Sequence, residues 1–270
     1  MATYAAPAAD ALPFDIRLME LGAKVLGFAG AAAVVVVASL WLVRQPAFAV
    51  RAIRVDGDVS HNSVSTIRAN AAPRLAGNFF TLDLAQARAA FESVPWVRQA
   101  VVRRVWPNHL AVTLEEHRAA ALWRGTGDGD AATDRLVNTH GEVFEANVGD
   151  VEDEALPTLE GPDGSSAAML SMWQRLTPLL APLDARIDTL TLSGRGSWRG
   201  ELDTGATIEF GRGGEAELAD TTQRFVATVT QVTSRYGRPI EYADLRHREG
   251  YAVRLRGITT TLTPEKPARQ

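Results

Sequence analysis

The chain has 270 residues, a formal net charge of −4 and no cysteine. This length predicts one or two folded domains, and the missing cysteines exclude a disulfide framework, a thiol nucleophile and thiolate metal sites. The sequence contains no run of basic residues interleaved with aromatic residues, and this argues against nucleic-acid binding.

A long apolar run near the N-terminus predicts a membrane anchor. Residues Val25–Val43 carry no charge, and Lys24 and Arg44 bracket them. As a helix this run would be roughly 28 Å long, close to the thickness of a bilayer's hydrocarbon core. The alternatives are a buried core helix and a cleaved signal peptide, the latter because Ala47-Phe48-Ala49 resembles a cleavage site. The run is longer than the apolar region of a usual signal peptide, which favours an uncleaved anchor.

The basic residues around this run do not decide its orientation. Arg17 and Lys24 precede it, while Arg44, Arg51 and Arg54 follow it, so the positive-inside rule gives no clear answer. A short segment on one side and a large folded region on the other favour a cytoplasmic tail over residues 1–24. The remaining domains would then lie outside the cytoplasm, in a single-pass inner-membrane protein.

Residues 48–117 show the order strand, helix, helix, strand, strand. The first strand is predicted at Val50–Val55, and Asp83 is a candidate N-cap of the second helix. A segment rich in β-branched residues, Val97–Val105, and an alternating one, Leu110–Leu114, are joined by the turn signal Trp106-Pro107-Asn108. This pattern predicts one small α+β domain with a hairpin at its end.

Residues 118–257 predict a second, mixed domain with mostly antiparallel strands. Its longest helix is predicted over Glu215–Tyr236 and ends at Gly237. A 3.6-residue period places five residues on the buried face of this helix: Leu218, Phe225, Val229, Val232 and Tyr236.

The last predicted strand has one apolar face. Alternation places Tyr251, Val253 and Leu255 on that face, with Arg254 and Arg256 opposite. The composition of residues 258–270 predicts a disordered tail. We expect a final strand of this kind to lie at the edge of its sheet, where its backbone can pair with another chain.

One glycine-rich segment resembles a dinucleotide-binding motif. Residues Gly211–Ala216 satisfy G-x-G-x-x-A between a predicted strand and the long helix. Such a site needs a parallel βαβ unit with almost wholly apolar strands, and Glu209 lies in the preceding strand. We interpret the glycines as a tight turn and expect no cofactor.

Nothing in the sequence supports catalysis or metal binding. The histidines lack metal-ligand spacing on a common element, and no G-x-S-x-G motif is present. The string Glu115-Glu116-His117 could act as an acid–base group, but we interpret it as a solvated junction between domains. We therefore expect a protein that is not an enzyme.

A resemblance to a known family is carried by Val94–Val97, Ala100–Asn108 and Leu110–Glu115, by Gly77–Phe80 and Leu82–Leu84, and by Leu156–Leu159, Gly161–Pro162, Tyr242–Arg246, Gly250 and Ala252–Val253. These strings resemble the FtsQ/DivIB family of bacterial division proteins, whose first extracytoplasmic domain is a POTRA (polypeptide-transport-associated) domain. The implied fold is α+β: a transmembrane helix, a POTRA domain (β-α-α-β-β) and a second mixed α/β domain, whose mostly antiparallel sheet ends in an edge strand.

The resemblance also implies a function and a site. Family members act as division (divisome) scaffolds, bind FtsB and FtsL outside the cytoplasm, contact other division proteins including FtsW, FtsI and FtsK, and link early assembly to septal peptidoglycan synthesis. Carried over, the FtsB-contacting positions are His247, Arg248, Glu249, Gly250, Tyr251, Ala252, Val253 and Leu255.

This chain departs from the family pattern at some of those positions. Relatives have tyrosine where it has His247, and some have tryptophan where it has Leu255. An arginine just before Ser-Trp binds a partner acid in some relatives; here Gly196 holds that place, and Arg195 is the candidate one residue earlier. A POTRA-bearing export or outer-membrane assembly factor and an anchored cell-wall enzyme are the rival interpretations.

Overall fold

The computed structural model describes residues 14–57, 60–61, 63–71, 73, 75, 78–126, 135–247 and 250–257. These residues form two compact units that alternate along the chain. The first takes described residues within 14–57, 64–93 and 100–114, and the second takes those within 58–63, 94–99 and 115–257.

The first unit begins with helix α1, Phe14–Val43. This helix starts eleven residues before the predicted anchor, so part of the predicted cytoplasmic tail is helical. Its segment Leu18–Val43 is long and apolar enough to cross a membrane, and none of it is buried in the protein. A buried core helix, one of the alternatives, is therefore wrong.

The predicted β-α-α-β-β order is confirmed by the elements that follow. They are β1 (Ala52–Gly57), α2 (Val64–Ala71), α3 (Leu84–Glu92), β2 (Val97–Val105) and β3 (His109–Glu116). The strands form a three-stranded sheet of order β1-β3-β2, with β1 parallel to β3. A cis Trp106–Pro107 bond lies in the turn between β2 and β3.

The predicted cap of α3 is also confirmed. An Asp83 carboxylate oxygen accepts hydrogen bonds from the main-chain N–H groups of Ala85 (2.8 Å) and Gln86 (3.3 Å). These donors would otherwise lack partners at the start of a helix. Phe91 and Ala87, on the apolar face of α3, are buried.

The second unit contains a nine-stranded sheet and two long helices. Its elements are β4 (Ala119–Gly125), β5 (Arg135–Asn138), β6 (Val143–Phe144), β7 (Thr158–Gly161), α4 (Ser166–Leu180), β8 (Ile187–Leu192), β9 (Trp198–Leu202), β10 (Thr207–Gly211), α5 (Glu215–Tyr236), β11 (Ile240–Asp244) and β12 (Ala252–Leu255). The strand order is β12-β11-β10-β9-β8-β7-β4-β5-β6. Most neighbouring pairs are antiparallel, as predicted.

Helix α5 has the predicted bounds, and Gly237 ends it in the left-handed conformation. Leu218, Phe225 and Val229 are buried on its predicted apolar face. The prediction for Tyr236 is wrong, because 57% of this residue is exposed. Burial decreases along the last two turns, where Val232 is only partly buried. The apolar period of the helix therefore extends beyond the part of α5 that packs against the core.

Candidate partner-binding edge

Strand β12 is the edge strand of the nine-stranded sheet, as predicted. It pairs antiparallel with β11 on one side, and no strand among the described residues pairs with the other side. The facing residues are Ala243 with Val253 and Asp244 with Ala252. An edge of this kind offers main-chain donors and acceptors to an incoming strand.

Two hydrogen bonds show which main-chain groups of β12 face outward. Arg256, just beyond β12, donates its N–H to the carbonyl of Pro239 (3.0 Å) and so faces β11. The register irregularity between Ile240 and Tyr242 adds a residue to β11 and none to β12, so alternation along β12 gives Ala252 and Arg254 the same direction. On the other side of β11, Leu245 donates to the carbonyl of Glu209 in β10 (2.8 Å), which agrees with this alternation. The N–H and C=O groups of Val253 and Leu255 therefore point to the open edge.

The apolar face of the final strand packs as predicted. Tyr251 contacts Phe225 of α5 edge to face, with ring centroids 4.9 Å apart. Val253 is partly buried against the same core, and Leu255 is only 6% exposed. These side chains fix β12 against the sheet, while no described strand pairs with its outer backbone edge.

The opposite face of β12 is polar. The Arg254 guanidinium lies over the ring of Tyr242, 5.5 Å from its centroid. Arg256 donates to the carbonyl of Thr204 (3.2 Å), and Ala252 is exposed. The two arginines lie opposite the apolar face, as the alternation predicted.

An aspartate–arginine pair shapes the loop from β11 to β12. The Arg246 main-chain N–H and Nε donate to Asp244 Oδ1 at 3.0 and 2.9 Å, and Arg246 Nη2 donates to Oδ2. The Arg246 side chain holds the pKa of Asp244 down to about 2, and Asp244 raises the pKa of Arg246 above its usual value. Of the predicted contact positions in this loop, His247 and Gly250 are described, whereas Arg248 and Glu249 lie outside the described residues.

Two clefts adjoin this loop, and sequence reasoning missed both. The larger, about 780 Å³, is lined by residues from the ends of β10 and β11 and the first turns of α5, among them Arg212, Arg246 and His247. The smaller, about 210 Å³, lies between α5 and the start of β12 and is lined by His247, Gly250 and Tyr251. The sequence signals near them were the glycine-rich turn after β10 and the predicted contact positions His247, Gly250 and Tyr251, none of which indicated a cleft.

The candidate Arg195 lies in the turn between β8 and β9. In this turn Gly196 has a positive φ of 78° and donates its N–H to the carbonyl of Ser193 (2.8 Å). Arg195 is exposed, and Ser197, two residues further on, lines the larger cleft with Arg246 and His247. The sheet thus brings the Arg195 turn to the same end as the predicted loop.

The geometry around Gly211 contains one of the two features that a dinucleotide site needs. Strands β10 and β11 are parallel and α5 connects them, so a parallel βαβ unit is present. Glu209 in β10 is buried beside Arg199, which donates to it from Nε at 2.7 Å. Gly211, with a φ of 88°, turns the chain toward α5, as the tight-turn interpretation requires.

The acid–base string is not a solvated junction throughout. Glu116 is buried and accepts hydrogen bonds from the N–H groups of Ser60 (2.7 Å) and His61 (3.1 Å). Burial lowers the pKa of His117, while the partly exposed Glu115 binds Arg98 at 2.9 Å. The side chains of Glu115, Glu116 and His117 thus have different partners. Among the described residues, no group of His, Asp and Glu side chains could hold a metal ion.

The pair Asp244–Arg246 predicts a pH-dependent stability. Because the folded protein lowers this carboxyl's pKa from 3.8 to about 2, the pair stabilises the fold above about pH 4 and loses that effect as the pH falls through 2. We expect Asp244→Asn to lower the free energy of unfolding at pH 7 by on the order of 1–2 kcal/mol. Denaturant titrations between pH 7 and pH 2 should show the gap to the parent closing. A matched control, Asp188→Asn at an exposed strand position, should show no such trend.

Comparison with known proteins places this architecture in a family. A family model described as "Cell division protein FtsQ/DivIB, C-terminal" matches residues 121–246, and one described as "POTRA domain, FtsQ-type" matches residues 48–117.

Several curated relatives have similar sequences along most of their length. Cell division protein FtsQ of Thiomonas arsenitoxydans is 39% identical over 96% of this chain and 97% of its own. That of Burkholderia pseudomallei is 42% identical over 90% and 94%, and that of Bordetella pertussis is 35% identical over 95% and 98%. The chain therefore belongs to the FtsQ/DivIB family of cell-division proteins.

Proposed function

We propose that this protein is a divisome scaffold that receives the extracytoplasmic part of FtsB, paired with FtsL, as an added strand on β12. The observation that carries the proposal is the outward direction of the Val253 and Leu255 main-chain groups at an edge held in place by Tyr251. Strand addition supplies affinity through the backbone and selectivity through side chains.

Backbone pairing alone is too weak for a stable complex. Two outward residues supply four main-chain groups, and each hydrogen bond contributes about 1 kcal/mol net. That sum does not exceed the cost of association, which is at least about 4 kcal/mol. The partner must therefore gain affinity elsewhere, and the clefts beside His247 and Gly250 are the adjoining surfaces.

The other predicted positions have defined places in this proposal. Ala252 lies on the exposed face of β12, and Arg195 lies near the larger cleft, where a partner carboxylate could bind it. Arg248 and Glu249 remain proposals from the family resemblance. The rival role of a POTRA-bearing export factor gains no support from the comparisons, which match FtsQ-type models and relatives.

The membrane arrangement belongs to the same proposal. A single pass through the inner membrane over residues 25–43 would leave residues 1–24 in the cytoplasm. The POTRA domain (48–117), the second domain (118–257) and the tail (258–270) would lie in the periplasm and collect at the division septum. There the protein would connect early components such as FtsK with the peptidoglycan synthases FtsW and FtsI, without catalysis of its own.

Titration of the full chain tests the function. The protein, in lipid nanodiscs, would be titrated calorimetrically with the extracytoplasmic segments of the host's FtsB–FtsL pair and, as a control, with FtsL alone. We expect saturable binding of the pair and much weaker binding of FtsL. Absence of binding by an intact, folded pair would contradict the scaffold function.

A further inference from the structure

A few large apolar side chains outside α1 are exposed to solvent. Among the described residues beyond that helix, the large exposed ones are Phe80, Val101, Val105, Trp106 and Tyr236. Trp106 is the most exposed of them, at 77%, and Phe80 is 48% exposed. Large apolar groups in water need an explanation when they gather in one place.

Hydrogen bonds bring the Phe80 segment to the end of α1. The Asn78 side-chain amide donates to the carbonyl of Val43, the last residue of α1, at 2.5 Å. Phe79 donates its N–H to the carbonyl of Phe48 (2.8 Å), and the ring of Phe80 contacts that of Phe48 edge to face, with centroids 5.0 Å apart. Phe80 therefore projects beside the point where the chain leaves the membrane helix.

The β2–β3 turn lies at the same end. Arg51 donates its N–H to the carbonyl of Asn108 (3.0 Å), which holds the turn close to the segment that follows α1. Arg104, at the end of β2, donates from Nε to the carbonyl of Phe79 (2.6 Å). Hydrogen bonds made by their neighbours thus place both Trp106 and Phe80 at the end of the first unit where the chain leaves α1.

The end of a membrane-spanning helix coincides with the lipid interface. Val43 is the last residue of the apolar run and Arg44 follows it, so Val43 lies where hydrocarbon gives way to headgroups. Tryptophan favours this depth because its ring has an apolar body and a polar N–H, and Trp41 already lies there. Phenylalanine is common on the apolar face of segments that lie in the interface. Exposed arginines at this end, Arg44 and Arg51, suit anionic headgroups.

We propose that Phe80 and Trp106 insert into the lipid headgroup region and form a second contact of the first unit with the membrane, beside α1. The occupant of this apolar surface is the bilayer itself, because the surface is continuous with the lipid-facing end of α1. The proposal rests on α1 spanning a membrane, and it goes beyond partner binding at β12.

The missing cysteines make a direct test possible, because one introduced cysteine is the only labelling site. We would place single cysteines by Phe80→Cys and Trp106→Cys, attach an environment-sensitive fluorophore, and insert the full chain into vesicles of phosphatidylethanolamine and phosphatidylglycerol. Ser39→Cys, about one turn inside the end of α1, marks the lipid side of the interface, within reach of a spin label near the headgroup. Thr113→Cys, an exposed position four residues along β3 from His109, marks water roughly 13 Å from the turn.

Lipids that carry a spin label near the headgroup should quench the labels at Phe80 and Trp106 roughly twofold more strongly than the label at Thr113. The emission of both should also shift to the blue. Labels at both sites that behave like Thr113, while Ser39 is quenched, would overturn the proposal and leave the membrane span intact. A blue shift without quenching by lipid would overturn it too, because it would indicate a protein contact between copies. Loss of quenching at Ser39 would overturn the span and the proposal together.

Discussion

Replacing Val253 by proline should weaken FtsB–FtsL binding by at least about tenfold. The N–H of Val253 points to the open edge, so proline removes a donor that an added strand would use without removing a bond to β11. The proline ring also occupies space that the incoming backbone needs. Edge strands tolerate proline where the N–H faces outward, so we expect the fold to remain.

A matched variant separates the backbone from the side chain. Val253→Ala shortens the side chain that packs partly against the core but keeps the outward N–H. We expect this variant to bind the partner nearly as well as the parent, although its unfolding free energy falls slightly. Calorimetric titrations of the three proteins, each checked by circular dichroism, make the comparison. Equal affinities for the proline variant and the parent would show that the partner does not pair with this edge.

Replacing Trp96 by alanine should lower the free energy of unfolding by about 3–5 kcal/mol. This residue is 3% exposed, its indole N–H donates to Asp150 (3.0 Å), and its ring stacks on His61 with centroids 3.9 Å apart. It also packs edge to face against Phe144. Alanine would leave a cavity and remove a partner of Asp150.

The same substitution ten residues further on provides the control. Trp106 is mostly exposed, so Trp106→Ala should change the unfolding free energy in detergent by less than about 0.5 kcal/mol. Chemical denaturation followed by far-UV circular dichroism measures both variants. Equal losses at the two positions would refute the structural role assigned to Trp96.

Trp96 also occupies a backbone conformation that is rare for a bulky residue. Its φ is 71°, a left-handed value that normally favours glycine. Such a conformation persists only where the surroundings compensate for its cost, and here the buried ring contacts do so. The tryptophan in the family's Pro-Trp-Val string thus has a structural reason in this chain.

Local sequence patterns predicted local structure well. The cap at Asp83, the bounds of α5 and the apolar face of β12 each depend on residues close together in the chain, and the structure confirms them. The edge position of β12 was predicted for the last strand-like segment of the sequence, and β12 is terminal in the strand order.

Features that depend on distant residues were not predictable in the same way. The burial of Glu116 is made possible by donors at Ser60 and His61, which no short-range pattern connects to it. The parallel pairing of β10 with β11 depends on how α5 crosses the sheet, and the clefts beside His247 form only once that crossing exists. The contact positions themselves came from the family resemblance and remain to be tested by binding.

The two units alternate along the chain, and this limits where the sequence can be divided without breaking contacts. The family matches divide the sequence once, between residues 117 and 121, whereas residues 58–63 and 94–99 belong to the later unit although they lie within the earlier match. A gene fusion or exchange made at that junction would separate Trp96 from Phe144, while His61, which stacks on Trp96, would stay with it. Such an exchange would therefore remove a contact that buries Trp96 in the later unit.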